Sequence, residues 1–171
     1  MKSMSINSDP ANKMKVIALF CFVLFQLLMS CSTISIPMRD SVESYTVTLE
    51  RTACRGNCPV YGFTVNGDGT VEYEGYLNTP FQGKKIGVIP KDSVSALIRA
   101  IESVNIDDLQ PMYVQQSTTD MPSVIFTVQH MRNGIIRGKK ILDYQGDATA
   151  PKSLRLLYDR IDAWYPIIQW Q

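Results

Sequence analysis

Cys54 and Cys58 have the clearest potential for chemistry, because they lie between two predicted strands with only three residues separating them. Cys21 lies in an apolar N-terminal run and Cys31 directly follows it, so Cys54 and Cys58 are the pair left for a folded domain. An even cysteine count in an exported protein favours a disulfide, and this short loop would stabilise the fold by about 2 kcal/mol. A redox pair usually has the tighter C-x-x-C spacing, and two thiols with one histidine fall short of four zinc ligands. We therefore expect a structural disulfide and neither a metal nor a cofactor.

His130, Asp120, Asp143 and Arg51 are the other candidate residues. His130 has the strand parity of the covered face, and as a general base it would need a nucleophile and an orienting carboxylate that the sequence does not identify. Asp120 precedes a predicted strand, where an aspartate side chain commonly accepts backbone N–H bonds in a turn. If this region is functional, we expect Asp120 to lie beside Asp143 and Arg51. The chain has no G-x-S-x-G or H-E-x-x-H motif, so catalysis has no local signature.

The N-terminal segment has the layout of a signal peptide. Residues 16–29 are apolar apart from Gln26; Lys13 and Lys15 precede them, and Ser30 follows. The run is shorter than the roughly 20 apolar residues that span a bilayer. A buried core helix is the alternative, but an all-round apolar helix fits the interior of so small a domain poorly. We therefore predict export.

The residues Leu28, Met29, Ser30 and Cys31 resemble a bacterial lipobox. The resemblance implies that the thiol of Cys31 is acylated and that Cys31 becomes the new N-terminus. Residues 1–31 are thus predicted to be a signal peptide, with translation starting at Met14, and residues 32–44 a tether. Because serine rather than aspartate follows the cysteine, the resemblance implies anchoring at the outer membrane, facing the periplasm.

The charge of the chain argues against some classes of partner. The full sequence has 17 Lys+Arg and 16 Asp+Glu, and after Cys31 the balance is 14 to 15. Nucleic acid, or a broad anionic surface as the main partner, would call for a basic patch. The one short basic cluster, Arg137 with Lys139 and Lys140, is predicted to be a solvated strand face.

Hydrophobic periodicity predicts one domain over residues 45–171, of six strands and two helices. Turn residues at 66–69 and 132–134 predict two hairpins, the first of them a tight turn at Gly67. The order of strands, helix, hairpin and helix indicates an α+β two-layer sandwich, with a largely antiparallel sheet and both helices on one face. The predicted strands are 45–50, 60–66, 71–74, 84–89, 123–130 and 135–144; the predicted helices are 91–104 and 149–165, the second ended by Pro166, and 107–120 is an irregular connection.

Several stretches of the mature chain resemble a bacterial envelope family catalogued as domain of unknown function 6438. The resemblance lies in residues 49–61 with their Cys-Pro-Val-Tyr end, in Gly-Asp-Gly-Thr-Val at 67–71, and in Tyr-Glu-Gly at 73–75. Thr-Asp-Met-Pro at 119–122 and Asp143 with Tyr144 are similar as well. The resemblance spans residues 45–164 and implies a small domain, often on lipoproteins, with no established activity or ligand.

We expect a membrane-anchored, non-enzymatic module that binds an envelope protein or peptide, for example through an edge strand at 84–89. A small hydrolase or thiol enzyme is one alternative, and a purely structural lipoprotein is another. The aromatic C-terminal segment 164–170 either packs back on the domain, which we favour, or forms an exposed docking strip.

Overall fold

The computed structural model describes residues 42–115 and 120–171. Cys31, the rest of the predicted signal peptide and residues 32–41 of the predicted tether lie outside the described residues. A 3-10 turn at Val42–Ser44 leads into the domain, and a second one lies at Ile106–Asp108. The strands are β1 (Tyr45–Arg51), β2 (Val60–Asn66), β3 (Thr70–Leu77), β4 (Gly83–Val88), β5 (Met112–Tyr113), β6 (Ser123–Arg132), β7 (Ile135–Tyr144) and β8 (Gln169–Trp170); the helices are α1 (Lys91–Val104) and α2 (Lys152–Asp162).

The described strands form one sheet in the order β5-β7-β6-β1-β2-β3-β4-β8. Every neighbouring pair is antiparallel except β5 and β7. The predicted α+β sandwich is confirmed, but the sheet has eight strands instead of six. The two additional strands, β5 and β8, lie at the two edges, and each has only two residues. Two residues are too few to produce a periodic pattern, so sequence analysis did not find them.

The core lies between the sheet and the two helices. Alternate residues of β1, β2 and β6 face it, including Leu49, Phe63 and Phe126, all fully buried. The helices contribute apolar stripes, such as Leu97 from α1 and Leu154 from α2, to the same cluster. Burial of these stripes against one sheet face places both helices on that face, as predicted.

Both predicted hairpins form, and each relies on residues with positive φ. In the β2–β3 turn, Gly69 has φ 98° and its N–H donates to the carbonyl of Asn66 at 3.0 Å. In the β6–β7 turn, Asn133 and Gly134 have φ values of 51° and 76°, the pattern of a type I′ turn. These turns set the registers that place side chains on the two faces of the sheet.

Helix α2 ends earlier than predicted. It ends at Asp162, four residues before Pro166, so the prediction that it continues to that proline is wrong. The chain tightens after the helix, where the N–H of Trp164 donates to the carbonyl of Ile161 at 3.0 Å. This i→i+3 bond closes a turn, and a proline restricts the residue before it to extended conformations, so the helical pattern cannot continue up to Pro166.

The C-terminal segment packs back on the domain, which confirms the favoured alternative. Trp164 and Ile168 are buried, and β8 pairs with Val88 and Gly87 of β4.

Within residues 42–115 and 120–171, no helix is both long enough and apolar enough to cross a membrane.

Candidate functional site

One cross-strand row carries polar side chains on the helix-facing side of the sheet. Arg51 of β1 pairs in register with Tyr61 on one side and with Val124 on the other. Val124 is followed in the row by Asp143 of β7 and then by Tyr113 of β5. Helix α2 covers this row, so the row forms a polar layer between the sheet and the helix.

The first ion pair of this layer joins Arg51 to Asp162, the last residue of α2. The Nε and Nη2 atoms of Arg51 lie 2.9 and 2.5 Å from Oδ2 of Asp162, and the hydroxyl of Tyr61 donates to Oδ1. Burial disfavours the charged form of the Arg51 guanidinium and by itself would lower its pKa. The hydrogen bonds to Asp162 and the negative charge of Asp162 outweigh this effect, so the pKa of Arg51 is raised. Burial, and then the bond to Asp162, raises the pKa of Tyr61, so this phenol stays protonated and donates.

In the second ion pair the sheet supplies the carboxylate and α2 supplies the cation, which is the reverse of the first pair. Asp143 is fully buried and accepts from Nε and Nη2 of Arg155, at 3.1 and 2.9 Å. The same guanidinium donates to the backbone carbonyls of Tyr144 and Asp147. The hydrogen bond to Asp143 is the main reason why the pKa of Arg155 is raised. The two pairs together fix both ends of α2 on the sheet.

Tyr158 of α2 packs in the same region. Its ring lies 5.3 Å from that of Phe126, and burial, followed by the charge of Asp143, raises its pKa. Its hydroxyl is buried and has no hydrogen-bond partner among the described residues. The layer therefore contains two satisfied ion pairs and one unsatisfied phenol.

A pocket of about 250 Å³ lies beside the Arg51–Asp162 pair. Its walls include the rings of Tyr61, Phe63, Tyr73 and Tyr165, and the carboxylate of Asp162 borders it. The ring centroids of Tyr61 and Tyr73 are 5.8 Å apart, and those of Tyr73 and Tyr165 are 4.9 Å apart. Rings in mutual contact support one another, so these walls are preformed. We refer to this site as the aromatic pocket.

Two loops that border the aromatic pocket are linked to each other. The predicted disulfide is present between Cys54 and Cys58, whose Cα atoms are 5.7 Å apart, and it closes the loop that ends at Pro59. Asn78, in the left-handed conformation, donates from Nδ2 to the carbonyl of Cys58 at 3.3 Å. Pro59 and Pro80 from these loops complete part of the pocket rim.

The family model described as "Domain of unknown function (DUF6438)" matches residues 45–165, which include both ion pairs and most of the pocket lining. The chain belongs to this family. No curated protein matches the chain. The DUF6438 domain is therefore the unit to which the pocket and the polar layer belong.

The DUF6438 domain brings together only part of the predicted site. Arg51 and Asp143 lie in one row, on either side of Val124, but each pairs with α2 and not with the other. Asp120 is exposed, and its carboxylate lies 3.6 Å from the guanidinium of Arg55. The carbonyl oxygen of Asp120, and not its carboxylate, accepts the N–H of Arg55. The structure thus pairs Asp120 with Arg55.

His130 lies towards the opposite end of β6. It is seven residues along the strand from Ser123, or roughly 23 Å. Its ring stacks on Tyr45 with centroids 5.2 Å apart. The grouping of His130 with Asp120 and the cysteine pair that a hydrolase or thiol enzyme would use is therefore not formed. In the part of the chain that the structure describes, no three His, Cys, Asp or Glu side chains are placed to hold a metal ion.

Sequence analysis did not single out Asp162, Tyr61, Tyr73 or Arg155 as site residues. Tyr61 and Tyr73 alternate in step with the buried residues of their strands. Alternation cannot distinguish a side chain that lines a pocket on the covered face from one that fills the core. Asp162 lies 111 positions from Arg51, and periodicity carries no information about contacts at such separation. The one signal in the sequence was that charged residues occupy strand positions whose side chains should face the covered side of the sheet.

Proposed function

We propose that this chain is an exported lipoprotein, anchored through Cys31, whose DUF6438 domain is a non-enzymatic module that binds a protein or peptide segment in the aromatic pocket. The observation that carries the binding role is a preformed, mostly apolar pocket with one oriented carboxylate. Such a combination of apolar walls and a few fixed polar groups is typical of binding sites. The sequence of residues 13–31 supports the anchor.

The size of the pocket favours one side chain of a larger partner over a free small molecule. Pockets for small-molecule ligands usually have volumes of roughly 300–1,000 Å³, and the aromatic pocket has about 250 Å³. A single large apolar side chain fills a space of this order. We therefore infer that the partner inserts one large apolar side chain, such as an aromatic one, and that the rest of its segment lies across the rim.

Asp162 supplies the polar contact that would orient the segment. A carboxylate has about four lone-pair positions, and Asp162 accepts two bonds from Arg51 and one from Tyr61. Its side chain is 25 % exposed. One further bond from an N–H or O–H group of the partner is compatible with this geometry, and it would select segments that present a donor beside the inserted side chain.

The edge of β4 supports binding less well than sequence analysis predicted. The final strand pairs with Gly87 and Val88, and the N–H of Gln171 donates to the carbonyl of Ile86. Only residues 83–85 of that edge remain uncovered by β8, which is short for adding a strand. We therefore place recognition in the aromatic pocket and not at the β4 edge.

The binding role is tested by photo-crosslinking with the full-length chain in cells. A benzoylphenylalanine at position 165 lies in the pocket wall, and the matched control replaces Tyr76, an exposed tyrosine of β3. We expect one discrete envelope-protein adduct from position 165 and none from position 76. The exposed rim residue Pro166 provides the second variant: Pro166→Glu should reduce the adduct at least tenfold while leaving the melting temperature near that of the parent. Equal adducts from positions 165 and 76 would argue against the pocket.

A further inference from the structure

The β6–β7 hairpin extends past the rest of the sheet. Strand β1 begins at Tyr45, which pairs with His130, so residues 131–136 continue beyond the last β1 position. On the other side, β5 pairs only with Leu142 and Asp143 of β7. Among the described strands, none lies alongside residues 131–136. We call these residues the hairpin tip.

The hairpin tip exposes large apolar side chains. Met131 is 53 % exposed, Ile135 59 % and Ile136 70 %. Met131 and Ile136 are register partners, so their side chains lie on one face of the hairpin, while Ile135 lies on the other. Isoleucine is among the residues most often buried, and hairpin turns are usually polar. Apolar side chains on both faces of a projecting tip therefore indicate an apolar environment outside the domain.

Basic residues lie within the tip and directly after it in the sequence. The hairpin from 123 to 144 contains four basic residues, Arg132, Arg137, Lys139 and Lys140, and its one acidic residue is Asp143. Asp143 is paired with Arg155 at the other end of the strands. Arg137 and Lys140 are exposed, whereas Lys139 donates to the backbone carbonyl of Asp107. Lysines on an open edge also discourage unwanted strand pairing, but that role does not account for the isoleucines.

The tip lies at the end of the sheet where the chain enters the domain. Val42–Ser44 leads directly into Tyr45, and Tyr45, His130 and Arg137 form one cross-strand row. The proposed anchor residue, Cys31, is only eleven positions before Val42, and even a fully extended chain of that length spans at most roughly 40 Å. The tip would thus be held close to the bilayer that carries the anchor.

We propose that the hairpin tip is a second membrane contact, in which Met131, Ile135 and Ile136 enter the interface of a phospholipid bilayer and Arg137 and Lys140 bind anionic headgroups. This inference rests on the proposed lipid anchor for the nearness of the bilayer. Apolar side chains flanked by cations are the combination that holds peripheral segments at such interfaces. Tyr61, in the pocket, pairs with Arg51 at the far end of β1, roughly 20 Å from Tyr45. The contact therefore orients the aromatic pocket away from the membrane.

The experiment uses the full-length, acylated chain reconstituted in phosphatidylethanolamine vesicles with or without phosphatidylglycerol. An environment-sensitive fluorophore is attached at Ile136→Cys or, as a control, at Leu156→Cys, an exposed apolar position on α2. Brominated acyl chains should quench the label at 136 at least threefold more than the label at 156. The difference should disappear in the Arg137→Glu/Lys140→Glu variant and decrease without phosphatidylglycerol.

Equal quenching at positions 136 and 156 would overturn the tip contact. The tip contact would also be overturned if the label at position 136 is not quenched and the unlabelled Ile136→Cys chain forms disulfide-linked dimers. That result would show that the tip binds a second copy of the chain. The anchor is tested separately by metabolic fatty-acid labelling, which does not depend on the tip. If a Cys31→Ser chain carries as much label as the parent, the anchor fails, whereas the quenching comparison between 136 and 156 still decides on the tip.

Discussion

Arg51 donates from Nε and Nη2 to a single oxygen of Asp162, and so ties β1 to the end of α2 across 111 positions of sequence. The other oxygen of Asp162 accepts from Tyr61, whose ring forms a wall of the aromatic pocket. The contact that holds the helix on the sheet therefore also orients the carboxylate of the pocket. Stability and the proposed binding depend on the same three side chains.

Arg51→Met should lower the free energy of unfolding by about 1–3 kcal/mol. The side chains of Arg51 and Asp162 are 17 % and 25 % exposed, so the loss should lie between those of surface pairs, about 0.2–1 kcal/mol, and of buried pairs, about 3–5 kcal/mol. Urea denaturation measures the change. The double variant Arg51→Met/Asp162→Leu should lose less than the sum of the single variants, and strictly additive losses would show that the two residues do not interact.

Asp143→Ala should be more damaging, with a loss of about 3 kcal/mol or more, because it leaves the guanidinium of Arg155 without its buried carboxylate. Asp120→Asn is the matched control. The Asp120–Arg55 pair is well exposed and 3.6 Å long, so this change should alter stability by no more than about 0.5 kcal/mol. Equal effects of the two substitutions in the same denaturation assay would contradict the polar layer described for α2.

The double substitution Cys54→Ser/Cys58→Ser should lower stability by about 2 kcal/mol without changing the fold, because the disulfide closes only a five-residue loop. Chemical denaturation of this variant, and of the parent with and without reductant, measures the effect. Reductant should destabilise the parent and leave the variant unchanged. A reductant effect that persists in the variant would assign the loss to another cause.

Acid should destabilise the domain partly through Asp147. The hydroxyl of Thr149, and then its backbone N–H and that of Gln115, donate to Asp147 and lower its pKa. Because the pKa of Asp147 is lower in the folded than in the unfolded state, its contribution to stability is complete above the ordinary pKa of about 4. This contribution is lost as the pH falls through the pKa that Asp147 has in the folded state. In Thr149→Ala, NMR titration should show the pKa of Asp147 rising towards the ordinary value. An unchanged pKa would contradict the role of Thr149.

Local patterns predicted the elements that depend on local chemistry. Strand alternation, the Asn133-Gly134 turn and the apolar stripes of the helices gave the α+β sandwich, and cysteine spacing gave the disulfide. The two-residue edge strands depend on tertiary pairing and leave no periodic signal. The partners of Arg51 and Asp143 lie on α2, far along the chain, so these residues were identified but their contacts were not.

Fatty-acid labelling of Cys31 is the most direct test of lipid anchoring, on which the envelope role depends. Bacterial cells that express the full chain are grown with an alkyne-bearing fatty acid, and the protein is recovered from membrane and soluble fractions. We expect label on the parent protein in the membrane fraction and no label on Cys31→Ser. A parent protein that stays unlabelled and is recovered from the cytosol would contradict export, anchoring and the envelope role together.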